Sequence, residues 1–356
     1  MDQNRYDIVH FEALGPEAAH LEAETALAIG AGHLASSHRC LVTPLPVQDF
    51  LAANPGFPLP GLVSTKTHSV LPESFVSEGG HGVISRSAGY DHFEHLVGKL
   101  HVASLREYCV NAVAQTTMKF LYATAGLMNH YCTHAERFDR QACDAFLELD
   151  PSVTVTVFGV GKIGKRIYEL IVANGLSAQG VDLRQRDLGP KYGASVRFVS
   201  KEAAIASTDV IINAMNLTKD PASRFHNIGY FSREYLAKAS KKLIFINVSR
   251  GEIAPESGLL DLYQIGTLTG LGLDAFSHEA AFAQALLGAS SNDPDLLAAK
   301  ALLRLALDRT GNVYVQPHQG FNSNIASQTK AAEALKHVVA WFERGGHGFA
   351  EELPYY

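Results

Sequence analysis

The feature that most constrains this chain is an apolar run, Val153-Thr-Val-Thr-Val-Phe158, that passes directly into Gly159-Val-Gly161-Lys-Ile-Gly164 and then into an amphipathic stretch. In Lys162–Asn174 the residues Ile163, Ile167, Leu170 and Ile171 fall at i, i+4, i+7 and i+8, one face of a helix, and Gly175 stands where a C-cap belongs. A G-x-G-x-x-G alone says little; between a strand and a helix it reads as a dinucleotide-binding loop. Gly159 permits the tight turn, Gly161 lets backbone approach a pyrophosphate, and Gly164 lets the helix pack closely on the strand. The helix N-terminus then offers N–H groups and a positive dipole end to phosphate. The next strand ends at Asp182, 23 positions after Gly159, close to where an acid accepts hydrogen bonds from the adenosine ribose hydroxyls. A carboxylate there repels a 2′-phosphate and favours NAD over NADP, a preference that Arg184 and Arg186 would soften. The plain alternative is a glycine turn with no ligand, which needs strand, glycines, helix and acid to fall into register by coincidence.

Around this loop, strand-like and helix-like segments alternate. Short Val/Ile-rich runs occur at Val153–Phe158, Gln179–Val181, Val196–Val199, Asp209–Ala214, Leu243–Val248, Leu271–Ala275 and Val313–Val315. They are apolar on both faces, as parallel strands covered by helices are. The pattern predicts a doubly wound α/β domain. In the first hundred residues Gly61–Ser64 and Gly82–Ser87 read as buried strands of a second, smaller α/β unit; Asn111–Ala125 and Ser323–Phe342 read as helices.

Composition excludes other classes. The 356 residues suit two domains, and 47% hydrophobic with 19% charged residues is ordinary globular composition. A net charge of -6 with no Lys/Arg run is a poor match to a phosphate backbone, so no nucleic-acid partner is expected. No apolar run approaches the ~18 residues of a spanning helix, so no membrane is expected. The N-terminus, MDQNRYDIVHFEALGPE, lacks the pattern of a signal peptide. Cys40, Cys109, Cys132 and Cys143 form no C-x-x-C pair, so free thiols in the cytoplasm and no metal site are expected.

Three further segments place ionisable residues beyond strand ends, where ligands of open α/β sheets bind. They are Asn247-Val-Ser-Arg250-Gly251, Leu273-Asp274-Ala-Phe-Ser-His278-Glu279 and Gln316-Pro-His318-Gln-Gly320. With GVGKIG (159–164), Asp182, SRSAGYD (85–91) and NAVAQ (111–115), these are in order and spacing similar to the NAD-dependent D-2-hydroxyacid dehydrogenases, over most of the chain. The resemblance implies an α/β protein of two Rossmann-like doubly wound domains. Residues 1–109 and the returning helix of 320–356 would form a discontinuous substrate domain, and 110–319 an inserted NAD-binding domain, with the active site in the cleft between them. It implies a catalytic triad of Arg250, Glu279 and His318, and substrate carboxylate binding at the backbone of Ala88 and Gly89 as well as by Arg250. It also places NAD against Gly159, Gly161, Lys162, Ile163, Gly164, Asp182, Asn216, Val248 and Ser249, with Asp274 at the nicotinamide end. A homodimer is implied too, with helix Asn111–Ala125 as its arm.

The chemistry gives each residue a reason. Reducing a 2-oxo acid needs a hydride at the carbonyl carbon and a proton at its oxygen. A histidine suits the proton, a neighbouring carboxylate orients it, and an arginine fork holds a carboxylate and polarises the carbonyl. Blander readings stand beside these. Arg250 could cap a strand, and His318 could be one more of 16 structural histidines. His278 reads as a loop histidine, and Lys66 is a possible substrate contact. The chain departs from the family pattern at Ala280, where Pro is usual, and at Gln115, where Glu is usual. An added segment before His318 holds a predicted helix, 296–308. Two alternatives remain: an NAD(H)-sensing, corepressor-like protein, and a phosphite-type dehydrogenase. Formate chemistry is disfavoured by Glu279.

Overall fold

In a computed structural model, residues 5–355 are described; Met1–Asn4, the start of the N-terminal segment read above, and Tyr356 lie outside the described residues. Contacts divide the chain into two units. The first joins Met1–Cys109 to Ser323–Tyr356, and the second is the continuous stretch Val110–Asn322 between them.

The first unit carries a parallel sheet of β1 (Ile8–His10), β2 (Cys40–Val42), β3 (Leu62–Thr65), β4 (Gly82–Ser85) and β5 (His101–Ser104), in the order β2-β1-β3-β4-β5. Successive side chains point to opposite faces, so Leu62 and Ile84 join one core cluster and Val63 and Val83 the other. On the Leu62 face lie helix Pro16–Gly30, through Leu21, and helix Ala326–Glu343, through Leu335, Val338 and Trp341. From that last helix the buried Glu333 carboxylate accepts the backbone N–H groups of Arg106 at 2.7 Å, Glu107 at 3.0 Å and Tyr108 at 2.7 Å. A helix from the end of the chain thereby ties down the last turn of the first segment.

The second unit carries β6 (Thr154–Phe158), β7 (Ser177–Val181), β8 (Val210–Asn213), β9 (Leu243–Asn247), β10 (Leu268–Leu273) and β11 (Val313–Val315). All pairs are parallel, in the order β11-β10-β9-β8-β6-β7. The order reverses at β6, the switch point outside whose carboxyl end a ligand crevice opens in such sheets. Ile211 and Phe245 face one core cluster, and Ile212, Ile244 and Ile246 the other. Each such side chain, withdrawn fully from water, stabilises by about 1.5–3 kcal/mol.

One detail differs from the sequence expectation. Val196–Val199 is not a strand: only Phe198 bridges, to Gly180, because Ser200 at once caps helix Lys201–Ser207. The added segment before His318 forms helix Pro294–Leu307, where one is expected over 296–308, preceded by a short helix Glu279–Leu286. Leu296, Ala299 and Leu302 of the longer helix join the same buried cluster as Leu259 and Leu262, so the segment enlarges this unit's own core. The four cysteines are free, and no helix among the described residues is long and apolar enough to cross a membrane.

Candidate active site

The glycine loop leaves β6 at Gly159, whose φ of 82° lies in the left-handed region that favours glycine. A Cβ there would meet the Met215 backbone at 2.7 Å, and one on Gly164 would meet the Gly159 carbonyl oxygen at 1.9 Å. Both positions therefore exclude a side chain. At Gly161 the nearest group is Arg184 Nη2, 3.9 Å from where a Cβ would stand, so this glycine faces the room that a phosphate needs. Gly161 is also the N-cap of helix Lys162–Ala173, and no side chain caps its first turn, which includes Ile163. The Asp182 carboxylate accepts the Val160 N–H at 2.8 Å and the Arg184 N–H at 2.8 Å, with Arg184 Nε at 3.6 Å. The acid is thus held against the loop, and these residues fit a dinucleotide.

Beyond the neighbouring strands the backbone is organised by buried amides. Asn213 and Asn247 end β8 and β9, and Asn213 Nδ2 donates to Asn247 Oδ1 at 3.0 Å. Asn247 Oδ1 also accepts the Ser249 N–H at 3.1 Å, and its Nδ2 donates to the Arg250 carbonyl at 3.0 Å. Val248 N–H donates to the Asn213 carbonyl at 3.2 Å, and Ser249 Oγ donates to the Met215 carbonyl. Asn216 follows, its carbonyl accepting Asn227 Nδ2 at 2.7 Å. Asn247 opens the motif that carries Arg250, whereas Asn213 stands in no motif, although an asparagine closing an otherwise apolar strand is a readable signal. Gly251 lets Arg250 approach the next loop: a Cβ on it would stand 1.9 Å from the Ser277 nitrogen.

His318 is fixed by a different acid. The sequence reading puts Asp274 at the nicotinamide end; in the structure it is buried and its carboxylate is engaged by the loop that carries His318. It accepts Gln316 Nε2 at 2.6 Å and the N–H groups of Gln319 at 2.9 Å and Gly320 at 3.1 Å, while the Asp274 carbonyl accepts the His318 N–H at 2.7 Å. Gln316 in turn accepts Lys119 Nζ at 2.6 Å. Held this way, His318 adopts a φ of 51°.

Arg250, Glu279 and His318 come together. His318 Nδ1 stands 2.9 Å and 3.0 Å from the two Glu279 oxygens, and His318 Nε2 stands 3.3 Å from Arg250 Nη1. Burial raises the Glu279 carboxyl, but the hydrogen bond and charge of His318, the Phe276 N–H and the charge of Arg250 outweigh it and hold the group below the ordinary carboxylate value. His278 is exposed beside them. In the first unit, Ala88 and Gly89 lie on the loop after β4, half-buried, and Lys66 is held by Glu17 at 2.5 Å.

A residue the sequence reading passed over stands behind this loop. Glu256 is buried at 1% exposure, accepts the Ser277 N–H at 2.7 Å, and leaves Oε2 with no partner. Burial pushes its carboxyl up to about 7. The folded chain therefore binds more protons than the unfolded chain between the ordinary value of 4.5 and about 7, and stability falls as pH rises through that window. Glu256→Gln removes the dependence. Its unfolding free energy relative to the parent is expected to rise by up to about 3 kcal/mol from pH 5 to pH 8. Urea unfolding at the two pH values checks this, and parallel behaviour of the two proteins refutes it.

The model of the D-isomer specific 2-hydroxyacid dehydrogenase family, NAD binding domain, matches residues 126–320, more than half of the chain. The chain is 25% identical to a glycerate dehydrogenase of Methylorubrum extorquens over 67% of this chain and 68% of that one. It is 22% identical to a D-lactate dehydrogenase of Staphylococcus epidermidis over 80% and 84%. In fold it is similar to the NAD-complexed D-isomer specific 2-hydroxyacid dehydrogenase of Lactobacillus delbrueckii ssp. bulgaricus, with a TM-score of 0.74 at 18% identity over 97% of this chain and 99% of that one. With the glycine loop, Asp182 and a two-sheet parallel fold already in place, this match makes the chain a member of the D-isomer specific 2-hydroxyacid dehydrogenase family, with NAD as cofactor.

Proposed function

We propose that the chain interconverts a 2-oxo acid and a D-2-hydroxy acid, with Arg250, Glu279 and His318 as its catalytic residues. The observation that supports this most is the contact chain from Glu279 through the His318 ring to Arg250. With Nδ1 donating to the Glu279 carboxylate, Nε2 is the nitrogen that exchanges a proton. In the neutral ring Nε2 accepts from Arg250. Once Nε2 is protonated that contact is lost, and two donors, imidazolium and guanidinium, converge on one small region. A carbonyl oxygen gaining negative charge is the acceptor that fits between them. NADH, when bound, supplies the hydride. Arg250 and the backbone of Ala88 and Gly89 would hold the substrate carboxylate. Gly159, Gly161, Lys162, Ile163, Gly164, Asp182, Asn216, Val248 and Ser249 would line the cofactor, with Asp274 at its nicotinamide end, where Asp274 would also set the position of His318. Family resemblance supports a homodimer, and the four free cysteines suit a cytoplasmic protein.

The test follows NADH absorbance with glyoxylate, pyruvate, hydroxypyruvate, and branched and aromatic 2-oxo acids, and, starting from NAD+, with phosphite. At least one is expected to turn over to a D-2-hydroxy acid, with higher kcat/KM for NADH than for NADPH because Asp182 disfavours a 2′-phosphate. NADH binding without turnover of any acid would favour a sensor, turnover of phosphite alone would favour the phosphite reading, and NADPH preference would overturn the role of Asp182.

A further inference from the structure

A second cluster of ligating side chains lies apart from Arg250, Glu279 and His318. Helix Met128–Ala135 carries His130 and His134 one turn apart, with ring centroids 4.2 Å from each other. The chain then runs without a regular element to Asp150 and brings Cys143 back to them. One ligand atom from each of the three lies within 4.8 Å of the others, and all three residues are half-buried.

One hydrogen bond in the cluster prepares a ligand for a cation, and a second is one that a cation would displace. His134 Nδ1 is 2.9 Å from the His130 carbonyl, so Nδ1 carries the proton and Nε2 keeps its lone pair, the orientation in which an outer-shell carbonyl fixes a metal-binding imidazole. His130 Nε2 accepts the Asp144 N–H at 2.9 Å, so the positive end of a backbone dipole occupies its lone pair. The Cys143 thiol donates to the Asp139 carbonyl at 3.4 Å, a contact it gives up with its proton. Elsewhere the segment is tied by the Tyr131 hydroxyl, which donates to the Asp144 carbonyl at 2.7 Å, by the Leu147 N–H on the Ala125 carbonyl at 2.9 Å, and by Leu149 against the core, while Phe138 is 82% exposed and Phe146 54%. An irregular stretch of this length needs some anchor to stay ordered.

We propose that His130, His134 and Cys143 form a zinc-class metal site that clips the 136–150 segment to helix Met128–Ala135. Two imidazoles and a thiolate are the donors of a borderline-soft ion such as Zn²⁺, and they exclude Mg²⁺ and Ca²⁺, which take oxygen. On binding, Cys143 releases its thiol proton to solvent and forms the metal–sulfur bond, His134 Nε2 donates its free pair, and His130 Nε2 exchanges the Asp144 N–H for the ion. Water completes a tetrahedral set. The sequence reading expects no metal because it weighs cysteine pairs, and here the third ligand is a lone Cys143 nine residues beyond the histidine pair.

The experiment uses the full, untagged chain, stripped with chelator and titrated with Zn²⁺ alone by competition against a chromophoric chelator, and with Co²⁺ alone by absorption. One Zn²⁺ per chain is expected, with a rise in thermal midpoint and protection of the 136–150 segment from protease. Co²⁺ should give an intense thiolate-to-metal band together with the visible bands of a tetrahedral ion. Cys143→Ser should abolish the thiolate band. His130→Ala and His134→Ala should each weaken Zn²⁺ by more than the roughly 10–100-fold lost with an outer-shell partner. All three variants lie outside the proposed catalytic residues and should keep parental NADH binding, which shows that they fold. Absence of stoichiometric Zn²⁺ binding overturns the proposal. So does affinity unchanged in the variants, which places the ion elsewhere, or a Co²⁺ spectrum without the thiolate band.

Discussion

Replacing His318 by Gln is expected to lower kcat by about 10²–10⁴-fold while leaving NADH affinity near parental, because the amide still donates to Glu279 but cannot exchange a proton. His318 sits at a φ of 51°, where glutamine is less at ease, so His318→Asn is the matched control. Asparagine enters the left-handed region more readily and is equally unable to act as acid or base. Both variants should lose turnover alike. Steady-state kinetics beside NADH fluorescence titration distinguish a lost proton donor from a damaged cofactor site. Turnover close to parental in either variant would remove His318 from its proposed role.

Arg250→Lys is expected to lower kcat/KM by about 10²–10³-fold. The charge is retained, but a lysine ammonium lacks the planar fork that can grip a carboxylate and still reach the region beside His318 Nε2. Both KM and kcat should move, since one guanidinium is assigned both the substrate carboxylate and the developing charge on the carbonyl oxygen. Arg250→Ala should be worse still, and added guanidinium should restore part of its turnover. If the lysine variant works within a few-fold of the parent, the fork is not used and Arg250 is only a nearby charge.

The nucleotide unit was legible because each of its signals is local. Val153–Phe158, Gly159–Gly164 and Lys162–Asn174 are neighbours in sequence, and the structure keeps them neighbours. Much of the first unit was not legible. β1, β2 and β5 are three or four residues long, and polar residues within them are buried by partners far along the chain. His10 meets Ser64 at 2.6 Å, and the Ser104 N–H meets the Tyr355 hydroxyl at 2.7 Å. No periodicity marks such strands. The candidate site divides in the same way. Arg250, Glu279 and His318 stand in motifs that can be read in line. The groups that hold their loops, Asn213 on Asn247, Gln316 on Asp274 and Glu256 on Ser277, are pairs separated by tens of residues, and their function is visible only as hydrogen bonds.

The division of the first unit between the two ends of the chain has a consequence for how the protein is made. Domains usually fold in the order in which they leave the ribosome. Here the leading segment emerges with one sheet face, around Leu62 and Ile84, lacking the cover that Leu335, Val338 and Trp341 provide. That cover is synthesised roughly 200 residues later, a wait on the order of 10–40 s. The continuous second unit, begun later, is complete first. The nascent N-terminal segment is therefore the part of the chain with most need of a chaperone, and a frameshift or premature stop ahead of Ala326 does its damage at the opposite end of the sequence.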